Sequence, residues 1–139
     1  LARRALDAAL DHAAGREAFG LPLAEHGMVQ QMVADSVIEI EASRGLIRSC
    51  AEALDAGRSA RKESSVAKVF VSEAVGRIID RAGQIAGGLG VSHDRVIARA
   101  MLEARGFRIY DGPSEVHRMA LARRAFREHS DQTGHAGAR

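Results

Sequence analysis

The chain has 139 residues, 46% hydrophobic and 27% charged, with twenty basic against eighteen acidic side chains for a formal charge of +2. That length holds one domain, and the composition is too apolar for a disordered chain. A single cysteine, Cys50, excludes an internal disulfide framework and a cysteine-based zinc site.

Taken in chain order, four or five helical stretches are predicted, with no convincing strand and no internal repeat. Leu1 to about Gly15 is rich in Ala and Leu and ends at glycine. It opens mid-pattern on Leu1-Ala2-Arg3-Arg4, as expected of a piece cut from a longer protein. Only two prolines occur, Pro22 and Pro113, and each is expected where a helix begins. Pro22 to Gly57 is the longest stretch. Its Val29, Val33, Ser36, Ile40, Ser43, Ile47, Cys50 and Leu54 step alternately by four and three, a seam for close helix packing in which two small serines let another helix approach. Ala60 to about Ala86 repeats the pattern with Val71, Val75, Ile78, Ala82 and Ile85, and Gly87-Gly88-Leu89-Gly90 closes it. His93 to Arg108 reads as a shorter helix with Ile97, Met101 and Ala104 inward. A last helix runs from Pro113 to about Arg127, and residues 129–139, without periodicity, are expected to form a disordered tail. The fold class is therefore all-α: an antiparallel up-down four-helix bundle over residues 1–128 with an extra short helix.

No apolar run reaches the roughly 18–20 residues of a membrane span before a charge interrupts it. No secretory signal is visible, so a cytoplasmic location is expected. Between Arg95 and Arg127 eight arginines face only Glu103, Asp111 and Glu115. Such an excess suits an anionic ligand, or a solvated face with ion pairs to a neighbouring subunit. One Tyr, four Phe and no Trp offer little for base stacking, which disfavours nucleic acid.

Three local features carry chemistry, each with a plain structural alternative. Gly15-Arg16-Glu17-Ala18-Phe19-Gly20 is either an interhelix turn with a core Phe, or a turn that offers a guanidinium fork to phosphate and a ring to another ring. Gln84-Ile85-Ala86-Gly87-Gly88-Leu89-Gly90 is either a helix C-cap or a run whose missing Cβ atoms let a ligand approach. It is neither a Walker loop nor a dinucleotide fingerprint. Asp111, ahead of Gly112-Pro113, is either a helix cap or a carboxylate base at a rigid helix entrance beside Tyr110. The six histidines show no metal-ligand spacing, and Cys50 lies on the helix seam.

In this order and at these separations, the features resemble the C-terminal helical domain of the acyl-CoA dehydrogenases. Arg16-Glu17-Ala18-Phe19-Gly20 resembles the family's Arg-x-x-Phe-Gly turn, and Leu23-Ala24-Glu25-His26 its Leu-x-Glu-His helix start. Gln84 to Gly90 resembles Gln-x-x-Gly-Gly-x-Gly, and Ile109-Tyr110-Asp111-Gly112 resembles Ile-Tyr-Glu-Gly. The resemblance implies a flavoenzyme that takes a proton from the α-carbon of an acyl-CoA and passes a hydride from the β-carbon to FAD. It puts Asp111 at the base position. It gives Arg16 and Phe19, with Gln84, Gly87 and Gly88, contacts to the pyrophosphate and adenine half of FAD across a subunit interface. The implied partners are the acyl-CoA substrate, a second copy of the chain in a dimer or tetramer, and an electron-transfer acceptor.

The departures are specific. Asp replaces the usual Glu, which shortens the base by one methylene, about 1.5 Å. Gly27 stands where Gln commonly follows Glu-His. Pro113 and Glu115 replace a Thr and a Gln that usually help hold the flavin. Asp111-Gly112-Pro113-Ser114-Glu115-Val116-His117 is similar to a branch of the family that carries Asp as its base. The family also builds its pocket from an N-terminal helical domain and a middle β-domain, which this sequence lacks. The alternative function is a non-catalytic helical oligomerisation module derived from the same family.

Overall fold

The computed structural model describes residues 1–93 and 96–134. Five α-helices dominate it: α1 Ala2–Gly15, α2 Gly27–Asp55, α3 Arg61–Ala86, α4 Val96–Phe107 and α5 Ser114–Thr133. The all-α architecture follows the predicted periodicities. α3 is the central element and touches each of the other four helices. Among the described residues no helix is long and apolar enough to cross a membrane.

The core is built from small side chains. Ala5, Ala9 and Ala13 of α1 pack with Ile79, Ala82, Ile85 and Ala86 of α3 and with Ile97, Ala100 and Ala104 of α4. A second group joins Leu6, Ile40, Ala74 and Ile78, linking α1, α2 and α3. Burying each of Leu6, Ile78 and Ile79 contributes about 1.5–3 kcal/mol. Ser36 and Ser43 are buried in the α2 seam as expected, and the Ser36 hydroxyl donates to the Met32 carbonyl at 2.7 Å. The far end of that seam differs: Ile47 and Leu54 are exposed, although Ala53 beside them is buried. Glu39 of α2 ties the long helices together by pairing with Arg77 at 2.6 Å and Arg81 at 2.8 Å, both on α3.

Three boundaries depart from the sequence reading. Glu17–Ala18 and Leu21–Pro22 form a two-stranded antiparallel hairpin, so Pro22 lies in a strand rather than at a helix start. A 3₁₀ turn over Leu23–Glu25 follows, and α2 begins only at Gly27. Two-residue strands carry no readable alternation, which is why sequence periodicity missed them. Gly87–Val91 continues the end of α3 as a 3₁₀ segment. Finally, α5 runs past Arg127 to Thr133 and ends at Gly134 in the left-handed region, where glycine costs least. Of the predicted tail, residues 135–139 lie outside the described residues, as does Arg95 of the arginine-rich stretch.

Candidate functional site

Asp111 sits in the loop between α4 and α5, with φ of +55°. Gly112 follows at +90°. A left-handed Asp is tolerated but costs backbone energy, and such residues concentrate where function demands a fixed geometry. The loop does not use Asp111 as a helix cap. Pro113 occupies the N-cap of α5 with no side-chain cap bond, and the Asp111 carboxylate makes no side-chain hydrogen bond to a described residue. It is exposed at a cavity of about 410 Å³ lined by Ile47 of α2, by Ala67, Lys68 and Val71 of α3, and by Phe107, Tyr110 and His117.

Lys68 and His117 hold this loop in place. The Lys68 ammonium donates to the Phe107 carbonyl and lies 6.0 Å from the Tyr110 ring centre, while Phe107 and Tyr110 meet edge to face. His117 bridges Ser65 on α3 to the Asp111 backbone. Just outside, Glu73 pairs with Arg108 at 3.0 Å and Arg118 at 3.1 Å, fastening both flanks of the loop to α3. Partial burial raises the Glu73 carboxyl pKa, but hydrogen bonding from Arg118 and Ser114 and the charges of Arg108 and Arg118 outweigh it and hold the group below its ordinary value. Nothing local in the sequence marks Lys68 or Ser65, because the partner of each lies on a distant part of the chain.

The second predicted cluster forms at the opposite end of α3. Arg16, at the end of α1, lines a cavity of about 440 Å³ with His12, Leu23, Ile85, Gly87 and Gly88. Arg16 is exposed and has no acidic partner among the described residues. The glycines there differ in what requires them. Gly87 has φ of +58° and caps α3 through its N–H to the Gln84 carbonyl. Gly90 lies against the α3 backbone at Gly83. Gly88 has neither a positive φ nor a neighbour that a Cβ would meet, so the fold itself does not demand glycine there.

Phe19 and Gln84 stand apart from that cavity. Phe19 and Gly20, at φ +55° and +83°, form the hairpin turn with the strained geometry of a two-residue type I′ connection. Phe19 is 98% exposed rather than a core residue, and its ring meets the His26 ring edge-on. His26 pins the hairpin by donating from Nε2 to the Ala18 carbonyl at 3.0 Å. Gln84 is exposed on the last turn of α3. Between Lys68, beside Asp111, and Ala86, beside Arg16, α3 runs about 27 Å, so the two clusters are separate surfaces of one chain.

The profile of the acyl-CoA dehydrogenase C-terminal domain matches residues 1–126. Cyclohexane-1-carbonyl-CoA dehydrogenase of Geobacter metallireducens is 38% identical over 92% of this chain and 34% of its own length. The structure is also similar to butyryl-CoA dehydrogenase from Megasphaera elsdenii, with a TM-score of 0.87 and 31% identity over 90% of this chain and 33% of that one. A glutaryl-coenzyme A dehydrogenase in complex with glutaryl-CoA gives a TM-score of 0.82 and 31% identity over 96% of this chain and 32% of that one. The chain thus spans about a third of the length of these relatives. With the family profile matched from Leu1 to Phe126 and the helical architecture shared, the chain belongs to the acyl-CoA dehydrogenase family as its C-terminal domain.

Proposed function

We propose that the chain serves as the C-terminal part of a flavin-dependent acyl-CoA dehydrogenase, contributing the catalytic base, part of the FAD site and an oligomer interface. The observation that carries this reading is Asp111, a carboxylate with no hydrogen-bond partner among the described residues, held on a left-handed turn at the mouth of an apolar cavity. There Asp111 would take the proton from the carbon next to the thioester carbonyl, and the apolar walls would keep water from competing for it. Lys68 and Tyr110 fix the loop that presents it.

The Arg16 cluster fits FAD. An exposed guanidinium without a carboxylate partner among the described residues, beside a glycine that the fold does not require, suits a pyrophosphate. Arg16 would bind the phosphates, Gly87 and Gly88 would let them approach the backbone, and Phe19 would offer its exposed face to a ring. Bound FAD supplies the hydride-accepting chemistry. The separation of some 27 Å along α3 supports a shared arrangement, in which Asp111 serves one flavin and Arg16 of the same chain serves another.

Asp111→Asn keeps size and turn geometry but cannot accept the proton. In the full-length gene product it should lower the rate of flavin reduction by acyl-CoA at least about 100-fold with flavin content intact. Asp111→Glu should retain partial activity. A wild-type rate in Asp111→Asn would instead favour a non-catalytic oligomerisation module.

A further inference from the structure

Among the described residues the Asp111 carboxylate has no hydrogen-bond partner, so its position depends on its backbone. Two observations show what holds that backbone. His117 Nε2 lies 3.3 Å from the Asp111 carbonyl oxygen, and His117 Nδ1 lies 3.1 Å from the Ser65 hydroxyl. A carbonyl oxygen can only accept, so the Nε2 proton is donated to Asp111. In the neutral ring, Nδ1 then accepts from Ser65. The imidazole thereby links the peptide plane of Asp111 to α3. Gly112 completes the arrangement: a Cβ there would lie 2.8 Å from His117 Nε2, and its φ of +90° is itself a glycine conformation.

We propose that His117 is a positioning residue for Asp111, holding the base on its left-handed turn through the Ser65–His117–Asp111 backbone bridge. The inference rests on Asp111 being the base. It gives a physical reason why a carboxylate one methylene shorter than Glu can be placed: the backbone is moved and locked, and the side chain does not have to search. A base that wanders by about 1 Å loses on the order of 100-fold in rate. The bridge acts on the bond-breaking geometry, so it belongs to the rate at saturating substrate rather than to affinity; His117 also lines the cavity whereas Ser65 does not, so Ser65→Ala releases the bridge without altering that lining.

The test uses the full-length gene product with its flavin. His117→Ala should slow flavin reduction at saturating acyl-CoA roughly 10- to 100-fold while KM changes less than about threefold and flavin content stays intact. His117→Gln, whose amide can still donate to the carbonyl, should recover at least about a third of the wild-type rate. A His117→Ala rate within about twofold of wild type, a KM that rises in step with the lost rate, or no rescue by Gln would overturn the proposal. Should His117→Ala fail to fold, Ser65→Ala decides, since it releases the far end of the bridge without touching Asp111. A loss of about threefold or more supports the proposal and a wild-type rate refutes it. Asp111→Asn in parallel separates the two claims. If it keeps the wild-type rate, the base assignment fails and the bridge with it; if it abolishes reduction while His117→Ala does not, only the bridge fails.

Discussion

Gly90 packs on the backbone of Gly83 so closely that a Cβ at residue 90 would lie 2.8 Å from the Gly83 Cα and collide with its carbonyl oxygen. Backbone atoms inside α3 cannot move aside as a flexible side chain would. Gly90→Ala should therefore cost about 1–3 kcal/mol, read as a lower urea midpoint at unchanged slope.

Gly88→Ala is the contrasting substitution. Its Cβ would point into open space and its φ is ordinary, so stability should change by less than about 0.5 kcal/mol. If phosphates approach the backbone here, the same variant should release flavin more readily on dilution. Equal flavin retention in Gly88→Ala and wild type would remove this glycine from the cofactor site.

Phe19 occupies the first central position of the hairpin turn at φ +55°, almost fully exposed. An L residue other than Asn, Asp or Gly there costs about 1–2 kcal/mol. Phe19→Asn suits both the φ and the type I′ turn, so the melting temperature should hold or rise while flavin retention falls. A variant that loses stability and keeps its flavin would show that the ring supports the fold instead.

Glu39 links acid to stability. Partial burial raises its pKa, but its bonds to Arg81 and Arg77 more than offset this and lower it below the ordinary value of 4.5. A lowered folded value means the pair stabilises the protein above pH 4.5 and the contribution disappears as pH falls through the lower folded value. Arg77 is half exposed, so water screens part of the attraction. Glu39→Gln should cost about 1 kcal/mol at neutral pH, and the gap to wild type should close on acidification. A gap that stays constant with pH would mean that packing rather than charge explains the loss.

The proposed oligomer interface can be tested by the state of association. Ile38 and Leu54 on α2 are 64% and 61% exposed, and Phe126 on α5 is 74% exposed. If the chain contributes an oligomer interface as proposed, exposed apolar side chains such as these are the ones it would cover. The full-length gene product should sediment at dimer mass or above at micromolar concentration; a sharp monomer would overturn the shared-flavin arrangement.

The helices were legible in the sequence because repeats of three and four residues encode an apolar face directly, and burial rewards it locally. That sufficed for the Ser36–Ser43 seam, the inward Ile78 and Ala82, and the all-α class. Motif order was enough to point to the family and to single out Asp111 and Arg16. The hairpin at Glu17–Pro22 was not legible, since four paired residues are too few for a pattern. Nor was the continuation of α5 through a polar segment, where no apolar stripe marks the helix and the stop comes from Gly134. Tertiary structure alone decided that Asp111 is a strained turn residue rather than a cap, and that His117 and Lys68 hold its loop. It also decided that Arg16 and Asp111 lie at opposite ends of α3. Each of these depends on contacts between residues far apart in sequence, whose energy exists only once the helices have packed.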